Sequence, residues 1–488
     1  MKLKMLLEGL VEQSAVDFLS RLIFGTKWEN NVHLAGGYVR DELLGLDPKD
    51  IDLVISNIPD GGIEFAKWAV EAIKDYLGVN KSFDPVIYPT YGTAMFKLRA
   101  YDNNGEVVGV VYNGHDLKNI DIECVMTRKE KYTDDSRNPD VEPGSLEDDV
   151  FRRDFTVNSL LKNLSNKEIL DLTGMGRDDL QKGVIKTALD PEIIFKEDPL
   201  RMLRAIRFCV KYDWTLPFSM IKAIKNNAYR LEIISEERIM VELNKILISG
   251  KPSIGIRLLQ LTGLSKFIFP ELDRLIKLKQ NKYHSKDAMD HTLDVLSKTP
   301  PDLITRLSAL FHDIGKTDTI EVINDTIHFY NHEDVGAELA KNIMQRLKYP
   351  NNIIEPVVFS IKKHMKTKYM GDDPELSDKK IRKLQDEMGE HLEHVLDLID
   401  ADNKSHAAGY NLPNQVSRIR DKIKNLGNIK DLPKLPVTGL DVMNILGIKS
   451  GAEVGSVLKK LHDYWLENPH LTKAEAMELI KKINPNKN

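Results

Sequence analysis

Two aspartates, Asp50 and Asp52, stand one residue apart in the run Asp50-Ile51-Asp52-Leu53-Val54-Ile55. On a strand, side chains two apart share a face, so both carboxylates point one way while Ile51, Leu53 and Ile55 point into a core. Parallel carboxylates repel unless a cation lies between them, and hard oxygen ligands suit Mg²⁺. Just upstream, Leu34-Ala35-Gly36-Gly37-Tyr38-Val39-Arg40-Asp41 supplies the other half of a phosphate site. Gly36 and Gly37 let backbone N–H groups approach phosphate oxygens, and Arg40 with Asp41 opens a helix. This spacing predicts a site for a metal-bound triphosphate. A third carboxylate on a neighbouring strand would complete the cage, and Asp121 and Glu123 share one face of the strand around Ile122. Such a cage stabilises the entering and leaving oxygens of an in-line phosphoryl displacement.

Two further runs carry chemistry of the same kind. In Asp148-Asp149-Val150-Phe151-Arg152-Arg153-Asp154-Phe155-Thr156-Val157-Asn158, the arginines can grip phosphates and Asn158 can bond ribose hydroxyls. In Asp198-Pro199-Leu200-Arg201, Pro199 suits the first turn of a helix, and a spacing of three puts Asp198 and Arg201 on one side. Adenine and cytosine both present an exocyclic amine beside a ring-nitrogen acceptor, so one carboxylate and one guanidinium can read either base. A wrong base leaves a buried charge unpaired, which costs a few kcal/mol. Arg204 and Arg207 continue that side of the helix, toward a primer end or a triphosphate.

The elements that must position these groups follow from periodicity. Residues 1 to about 165 alternate helical and strand-like patterns: a helix over Leu10 to Ile23, strands near His33, Ile51, Ala94 and Ile120, and a helix after Gly62. This is an α/β or α+β domain. From Glu197 onward apolar residues recur at three and four, and the remainder reads as mostly helical. The architecture changes near residue 190, with polar seams at Lys277 to Lys286 and at Asn411 to Pro436. The 488 residues, 42% hydrophobic and 29% charged, suit about three ordinary globular domains. A net charge of -5 argues against a uniformly basic nucleic-acid binder but permits a local basic stripe. Two cysteines, Cys124 and Cys209, exclude a disulfide framework and fit a reducing, cytoplasmic setting. No run approaches the roughly 20 apolar residues of a membrane span, and no targeting segment is read.

These motifs carry a resemblance. Gly36-Gly37-x-Val39-Arg40-Asp41-x-Leu43-Leu44-Gly45 with Asp50-x-Asp52, then Arg152-Arg153-Asp154-Phe155-Thr156-x-Asn158, resembles the class II tRNA nucleotidyltransferase and bacterial poly(A) polymerase family of the polymerase-beta superfamily. The match continues in family order through Asp171-Leu172-Thr173-Gly174, Glu197-Asp198-Pro199-Leu200-Arg201 and Ser235-Glu236-Glu237-Arg238-Ile239 with Glu242-Leu243, covering Gly36 to Ile248. The resemblance implies a head of the polymerase-beta type over 1–165, a helical neck over 166–275, an HD domain over 276–410 and a helical tail over 411–488. It implies Asp50 and Asp52 as Mg²⁺ ligands and Glu123, five before Arg128, as the third carboxylate; spacing alone leaves Asp121 open. Gly36, Gly37 and Arg40 would hold the triphosphate, Arg153, Asp154 and Asn158 the ribose and phosphates, and Asp198 with Arg201 the base. The implied activity is template-independent addition of C, C and A to the 3′ end of tRNA from CTP and ATP. A poly(A) polymerase or an enzyme adding only CC or only A is the alternative. The segment Pro89-Thr90-Tyr91-Gly92-Thr93-Ala94-Met95 lacks the arginines typical of the poly(A) members, which favours tRNA. Ser159 stands where the family more often has alanine.

A second resemblance lies downstream. His291, His312-Asp313-Ile314-Gly315-Lys316, His332, His364 and Asp402 resemble the HD superfamily. His291, His312, Asp313 and Asp402 are the implied core ligands; their mixed nitrogen and oxygen shell suits a divalent transition metal and phosphate-ester hydrolysis. An HD phosphohydrolase whose head merely binds RNA is therefore a rival reading. His328 and His406 are expected at the surface. Pro436 to Met443, with Gly447, Gly451 and Gly455, resembles the element that follows HD domains in these enzymes, where helix N-termini could approach RNA. Lys277, Lys279 and Lys282, and Lys362, Lys363, Lys366 and Lys368, could track tRNA phosphates. No obligate protein partner is inferred.

Overall fold

A computed structural model describes residues 2–133, 136–367 and 376–483, with backbone alone over 2–9 and 132–139. Lys368 and the last lysine- and asparagine-rich residues lie outside the described residues. The chain divides into two compact units, Met1–Ile268 and Phe269–Asn488. The seams expected at 165 and 410 fall inside these units.

The first unit is built on a seven-stranded sheet in the order Ile169–Leu170, Leu161–Asn163, Val32–Ala35, Ile51–Ile55, Asp121–Met126, Thr93–Lys97, Val86–Tyr88. Only the pair Ile51–Ile55 with Asp121–Met126 is parallel, and its register sets Asp52 opposite Glu123. Alternation gives the sheet two different faces. Leu53, Ile55, Ile122, Cys124, Ala94 and Phe96 are all buried on one face. The helix Gly61–Leu77 buries Phe65, Ala69 and Ile73, and Phe65 meets Trp28 edge-on at 5.2 Å and Phe96 at 6.2 Å. The other face is apolar only near Ala35, Val54, Val150 and Leu161. Its remaining length carries Asp52, Glu123, Met95 and Thr93, so the chemistry and the core occupy opposite sides of one sheet.

Each expected element is present here. The first helix runs Lys2–Ile23, longer than the apolar periodicity suggested, and strands stand at His33, Ile51, Ala94 and just after Ile120. Asp50 precedes its strand, which starts at Ile51. The helices Pro191–Glu197, Leu200–Tyr212, Phe218–Asn227, Glu236–Leu247 and Pro252–Leu261 then follow in succession. Asp198 ends the first of these, and its Oδ1 accepts from Leu200 N at 3.1 Å, so it stands beside the start of the helix that carries Arg201.

The second unit is helical apart from a hairpin, Ile320–Ile323 with Thr326–Phe329. Its helices Ala288–Lys298 and His332–Arg346 carry His291 and His332, Leu303–Phe311 and Asn351–Lys363 end just before His312 and His364, and Leu392–Asn403 carries Asp402. Gly315 is required by close approach: a Cβ there would run into the His332 carbonyl and the backbone of Gly336. The C-terminal helices Gly439–Leu446, Ala452–Trp465 and Lys473–Lys482 pack around Val442, Val457, Leu461 and Ile480. Gly447, at φ +64°, ends one helix and Gly451 opens the next, so these glycines serve a turn.

Candidate active site and candidate metal centre

The turn between Val32–Ala35 and Gly37–Leu43 passes through Gly36 at φ 62° and ψ -121°, a conformation L side chains avoid. A Cβ there would also meet Arg153 Nη1 at 3.4 Å. Gly36, Gly37, Asp50 and Asp52 line a cavity of about 940 Å³, together with Arg40, Arg153, Asp154, Asn158, Asp198, Arg201, Arg204 and Arg207. Ten cationic and seven anionic side chains line it in all, a balance suited to a polyanion that brings its own cation. Lys49, Lys211 and Lys245 also belong to that lining without a motif to mark them, and Arg238 joins it from the Ser235-Glu236-Glu237-Arg238-Ile239 motif.

Glu123 lies outside this cavity, on the far side of Asp52. Its rival Asp121 is 54% exposed and paired with Lys97 at 2.9 Å. Burial pushes the Asp52 carboxyl up to about 6, Glu123 and Asp50 add to the rise, and Arg153 opposes it. A cation between these oxygens would relieve that repulsion, so the donor set fits a hard divalent ion.

Behind the carboxylates the arginines are held by buried acids. Asp149, wholly buried, accepts from Arg152 Nε at 2.9 Å and from Arg153 Nη2 at 2.8 Å. Arg152 also pairs with Glu130 at 2.9 Å. Asp154 is bonded by Arg204 Nε at 2.8 Å and by the Asn158 amide at 2.9 Å. Burial works against the Asp154 anion, yet Arg204 and Asn158 bring its carboxyl down to about 2. Arg40 donates to Asn158 Oδ1 at 2.6 Å and to Asp41 Oδ1 at 2.7 Å, and lies over the rings of Phe208 and Tyr212. Tyr212 in turn donates to Asp41 at 2.8 Å, joining the Gly36-Gly37 segment to the helix that starts at Leu200.

Several of the expected site residues already have partners within the protein. Asn158, expected to bond ribose hydroxyls, spends its carbonyl on Arg40 and an amide hydrogen on Asp154, and acts as a strut between them. Arg204 and Arg207, expected at a primer end or triphosphate, are already engaged by Asp154 and by Glu242, the latter at 2.7 Å. Arg201 gives Nη2 to the Arg152 carbonyl at 2.8 Å, while its buried Nη1 lies 3.5 Å from Glu197 and has no hydrogen-bond acceptor among the described residues. The Ser159 hydroxyl is satisfied by the Val150 and Phe155 carbonyls, both at 3.1 Å.

The second unit holds a site of different character. His291, His312 and Asp313 form one buried group with metal-ligand spacing, and Asp313, His332 and His364 form another, so Asp313 is common to both. Asp402 meets His291 Nε2 at 3.0 Å. The Nδ1 atoms of His312, His332 and His364 stand 2.9, 2.8 and 2.6 Å from the carbonyls of Ala309, Phe329 and Ile361. A carbonyl only accepts, so each Nδ1 holds a proton, and Nε2 is the atom each ring would offer to a metal. Burial holds His364 well below the ordinary imidazole range, which keeps it neutral. Lys316 donates to Asp313 Oδ2 at 2.6 Å. His406 is not at the surface: its Nδ1 meets the Asp402 carbonyl at 2.8 Å and its ring packs on His284 and His291. The i,i+4 spacing from Asp402 was the signal that could have placed it. His328 is half-buried against Tyr330. Lys277, Lys279 and Lys282 are exposed, and Lys366 pairs with Glu387 at 2.8 Å.

Comparison with known proteins matches the poly A polymerase head domain over residues 32–186, a probable RNA and SrmB-binding site of polymerase A over 215–276, and an HD domain over 283–404. The A-adding tRNA nucleotidyltransferase of Deinococcus radiodurans is 31% identical over 337 residues, 65% of this chain and 75% of that protein. The chain belongs to the tRNA nucleotidyltransferase family. Another member, the CC-adding enzyme of Thermus thermophilus, is 30% identical over 351 residues, 69% of this chain and 77% of that protein. Against three fungal relatives in the family, among them a Schizosaccharomyces pombe tRNA nucleotidyltransferase at 36% identity, the chain spans about half of their length. The Bacillus stearothermophilus CCA-adding enzyme in complex with CTP shares the fold at a TM-score of 0.63 and 20% identity, over 97% of each chain. Among the described residues of this family member, no helix is long and apolar enough to cross a membrane.

Proposed function

We propose that this nucleotidyltransferase adds C, C and A to the 3′ end of tRNA, using CTP and ATP. The observation that carries the reading is the single cavity in which Asp50 and Asp52 face Gly36, Gly37 and a cationic wall, with Asp198 and Arg201 beside them. The 3′ hydroxyl of tRNA would attack the α-phosphate in line with the departing pyrophosphate. Mg²⁺ held by Asp50 and Asp52, with Glu123 as third carboxylate, would neutralise charge on the attacking and leaving oxygens. The Gly36 and Gly37 backbone and Arg153 would receive the triphosphate, and Arg40, Asp154 and Asn158 would keep that wall in place. Asp198 and Arg201, whose buried Nη1 has no hydrogen-bond acceptor among the described residues, would read the amine and ring nitrogen shared by cytosine and adenine. Relatives named as CC-adding and A-adding enzymes, and solved CCA-adding enzymes with CTP, ATP and tRNA, support this reading. Two free, buried cysteines suit work in the cytoplasm, although some fungal relatives are described as mitochondrial. The four-part division into head, neck, HD domain and tail, at 165, 275 and 410, belongs to the same proposal.

Supplying tRNAs trimmed by one, two or three 3′ nucleotides with one nucleoside triphosphate at a time tests the assignment. Two C additions followed by one A are expected. Long A runs without C would replace it with poly(A) synthesis, and C alone or A alone with partial addition.

The buried groups sharing Asp313 favour a second activity in the same chain, metal-dependent hydrolysis of phosphate esters. His291, His312, Asp313 and Asp402, joined by His332 and His364, would hold a divalent transition metal. Release of p-nitrophenol from its phosphate mono- and diesters in the presence of Mn²⁺, Co²⁺ or Ni²⁺ tests it. No release with any of these would reject it.

A further inference from the structure

The strand pairing that sets Glu123 opposite Asp52 also leaves Glu123 out of the triphosphate cavity. It opens instead a hollow of about 430 Å³ on the same face of the sheet, bounded by Tyr88, Tyr91, Thr93, Met95 and Arg128. Register explains the arrangement. Glu123 pairs with Met95, and Thr93 with Tyr88, so the face runs outward from the carboxylates across two more strands. At about 4.8 Å per strand, Tyr88 lies within about 15 Å of the Asp52 strand, the reach of a terminal nucleotide or two.

Tyr88 is 49% exposed and Tyr91 39%, and neither ring stacks on another among the described residues. Two unpartnered aromatic rings beside a charged groove form a stacking platform for unpaired bases, since every base has a π-face. The platform is held from behind. Arg128 donates Nη1 to the Tyr91 carbonyl at 3.0 Å and pairs with Glu130 at 2.8 Å. Glu130 also binds Arg152, which shares Asp149 with Arg153. Buried ion pairs thus run continuously from the hollow to the triphosphate cavity.

In-line displacement needs the attacking hydroxyl on the side of the α-phosphate opposite the pyrophosphate. With the triphosphate on the Gly36-Gly37 side, that position lies on the Glu123 side. We propose that the hollow seats the single-stranded 3′ end of the RNA primer, its terminal base stacked on Tyr88 and Tyr91 and its 3′ hydroxyl delivered to Asp52 and Glu123. Tyr88 and Tyr91 are then primer-binding residues and Arg128 a positioning residue. The inference rests on the nucleotidyl-transfer reading of Asp50 and Asp52.

The test compares the wild type with Tyr88→Ala, Tyr91→Ala, the double alanine variant and the double phenylalanine variant, with thermal midpoints as a check on folding. Loss of base stacking should raise the KM for tRNA about tenfold in the double alanine variant and leave the KM for CTP and ATP within about twofold. The phenylalanine variant, which keeps both rings, should behave as wild type. A 2-aminopurine at the primer's 3′ terminus, read without nucleoside triphosphate, should be quenched on binding by the wild type and the phenylalanine variant and not by the alanine pair. An unchanged primer KM with quenching retained in the alanine pair overturns the proposal. A raised KM for nucleotide alone overturns it too, by assigning the hollow to the triphosphate. Failure of the underlying reading is distinct: the wild type would add nothing to any trimmed tRNA.

Discussion

The nucleotide cavity of the first unit and the histidine cluster of the second both gather carboxylates, yet they are built on opposite plans. In the cavity the reactive oxygens face open space, and order comes from side chains holding side chains: Asp149 grips Arg152 and Arg153, Asp154 grips Arg204, and Asn158 grips Arg40. In the cluster the ligands themselves are buried, and backbone carbonyls hold three of the imidazoles at Nδ1. An open site of hard oxygens has the room and the donors for a large charged substrate that brings a hard cation with it. A closed site of imidazole nitrogens with Asp313 and Asp402 has the donors for a softer metal held before any substrate arrives. The contrast teaches that a mobile ligand calls for a rigid charged wall, whereas a resident metal calls for fixed tautomers.

The sharpest break in that comparison is a pair of variants. Asp52→Ala should lower nucleotide transfer about 1000-fold or more and leave ester hydrolysis unchanged, while Asp313→Ala should do the reverse. Steady-state assay of both activities on each variant checks this, and loss of both in either variant would show that the sites are not independent.

Next in size is the wall. Asp149→Ala removes the buried carboxylate shared by Arg152 and Arg153, leaving Arg152 its pair with Glu130, and removing one partner from such a network costs about 3–5 kcal/mol. Urea unfolding should register that loss, with transfer falling and hydrolysis retained in conditions where the protein stays folded. A midpoint equal to wild type would reject Asp149 as the anchor.

A smaller effect separates base choice from catalysis. Asp198→Ala should reduce the preference for CTP and ATP over GTP and UTP about 10- to 100-fold, and slow correct addition by less. Unchanged selectivity in single-nucleotide competition would remove Asp198 from base reading.

The mildest effect is on pH. The Asp52 carboxyl, pushed up to about 6, must lose its proton before it can bind a cation, so transfer at limiting Mg²⁺ should rise through about pH 6. Added Mg²⁺ competes with the proton and should move that midpoint down. The sign for stability is the reverse. Without a cation the ionised form is the disfavoured one, so this group costs nothing below about pH 4 and subtracts stability as pH rises through about 6. A profile insensitive to Mg²⁺ would assign the ionisation elsewhere.

Much of the head was legible because its chemistry is local. Asp50, Asp52, Gly36 and Gly37 declare themselves by spacing, and the strand at Ile51 follows from its apolar alternation. Pairing partners far apart in sequence were not legible. Glu130 lies 22 residues from Arg152, and Tyr212 lies 171 from Asp41; no periodicity links either pair. His284 gave no signal either, since it sits in a loop and joins His291 and His406 only through packing. Burial in that cluster pushes its imidazole down to about 2. His406, by contrast, was within reach, four residues beyond Asp402 and just past the end of its helix.

By itself the sequence determined which residue types would meet a metal and phosphates in the proposed reaction, since short-range spacing on a strand, turn or helix fixes which side chains share a direction. Tertiary structure alone decided between Glu123 and Asp121 as the neighbour of Asp52, through a strand register that seats Asp121 against Lys97. It also decided that Arg204 and Asn158 brace the wall while the buried Nη1 of Arg201 has no hydrogen-bond acceptor among the described residues. Those outcomes depend on which charges are buried together, and burial is a property of packing between distant segments, which no local pattern encodes.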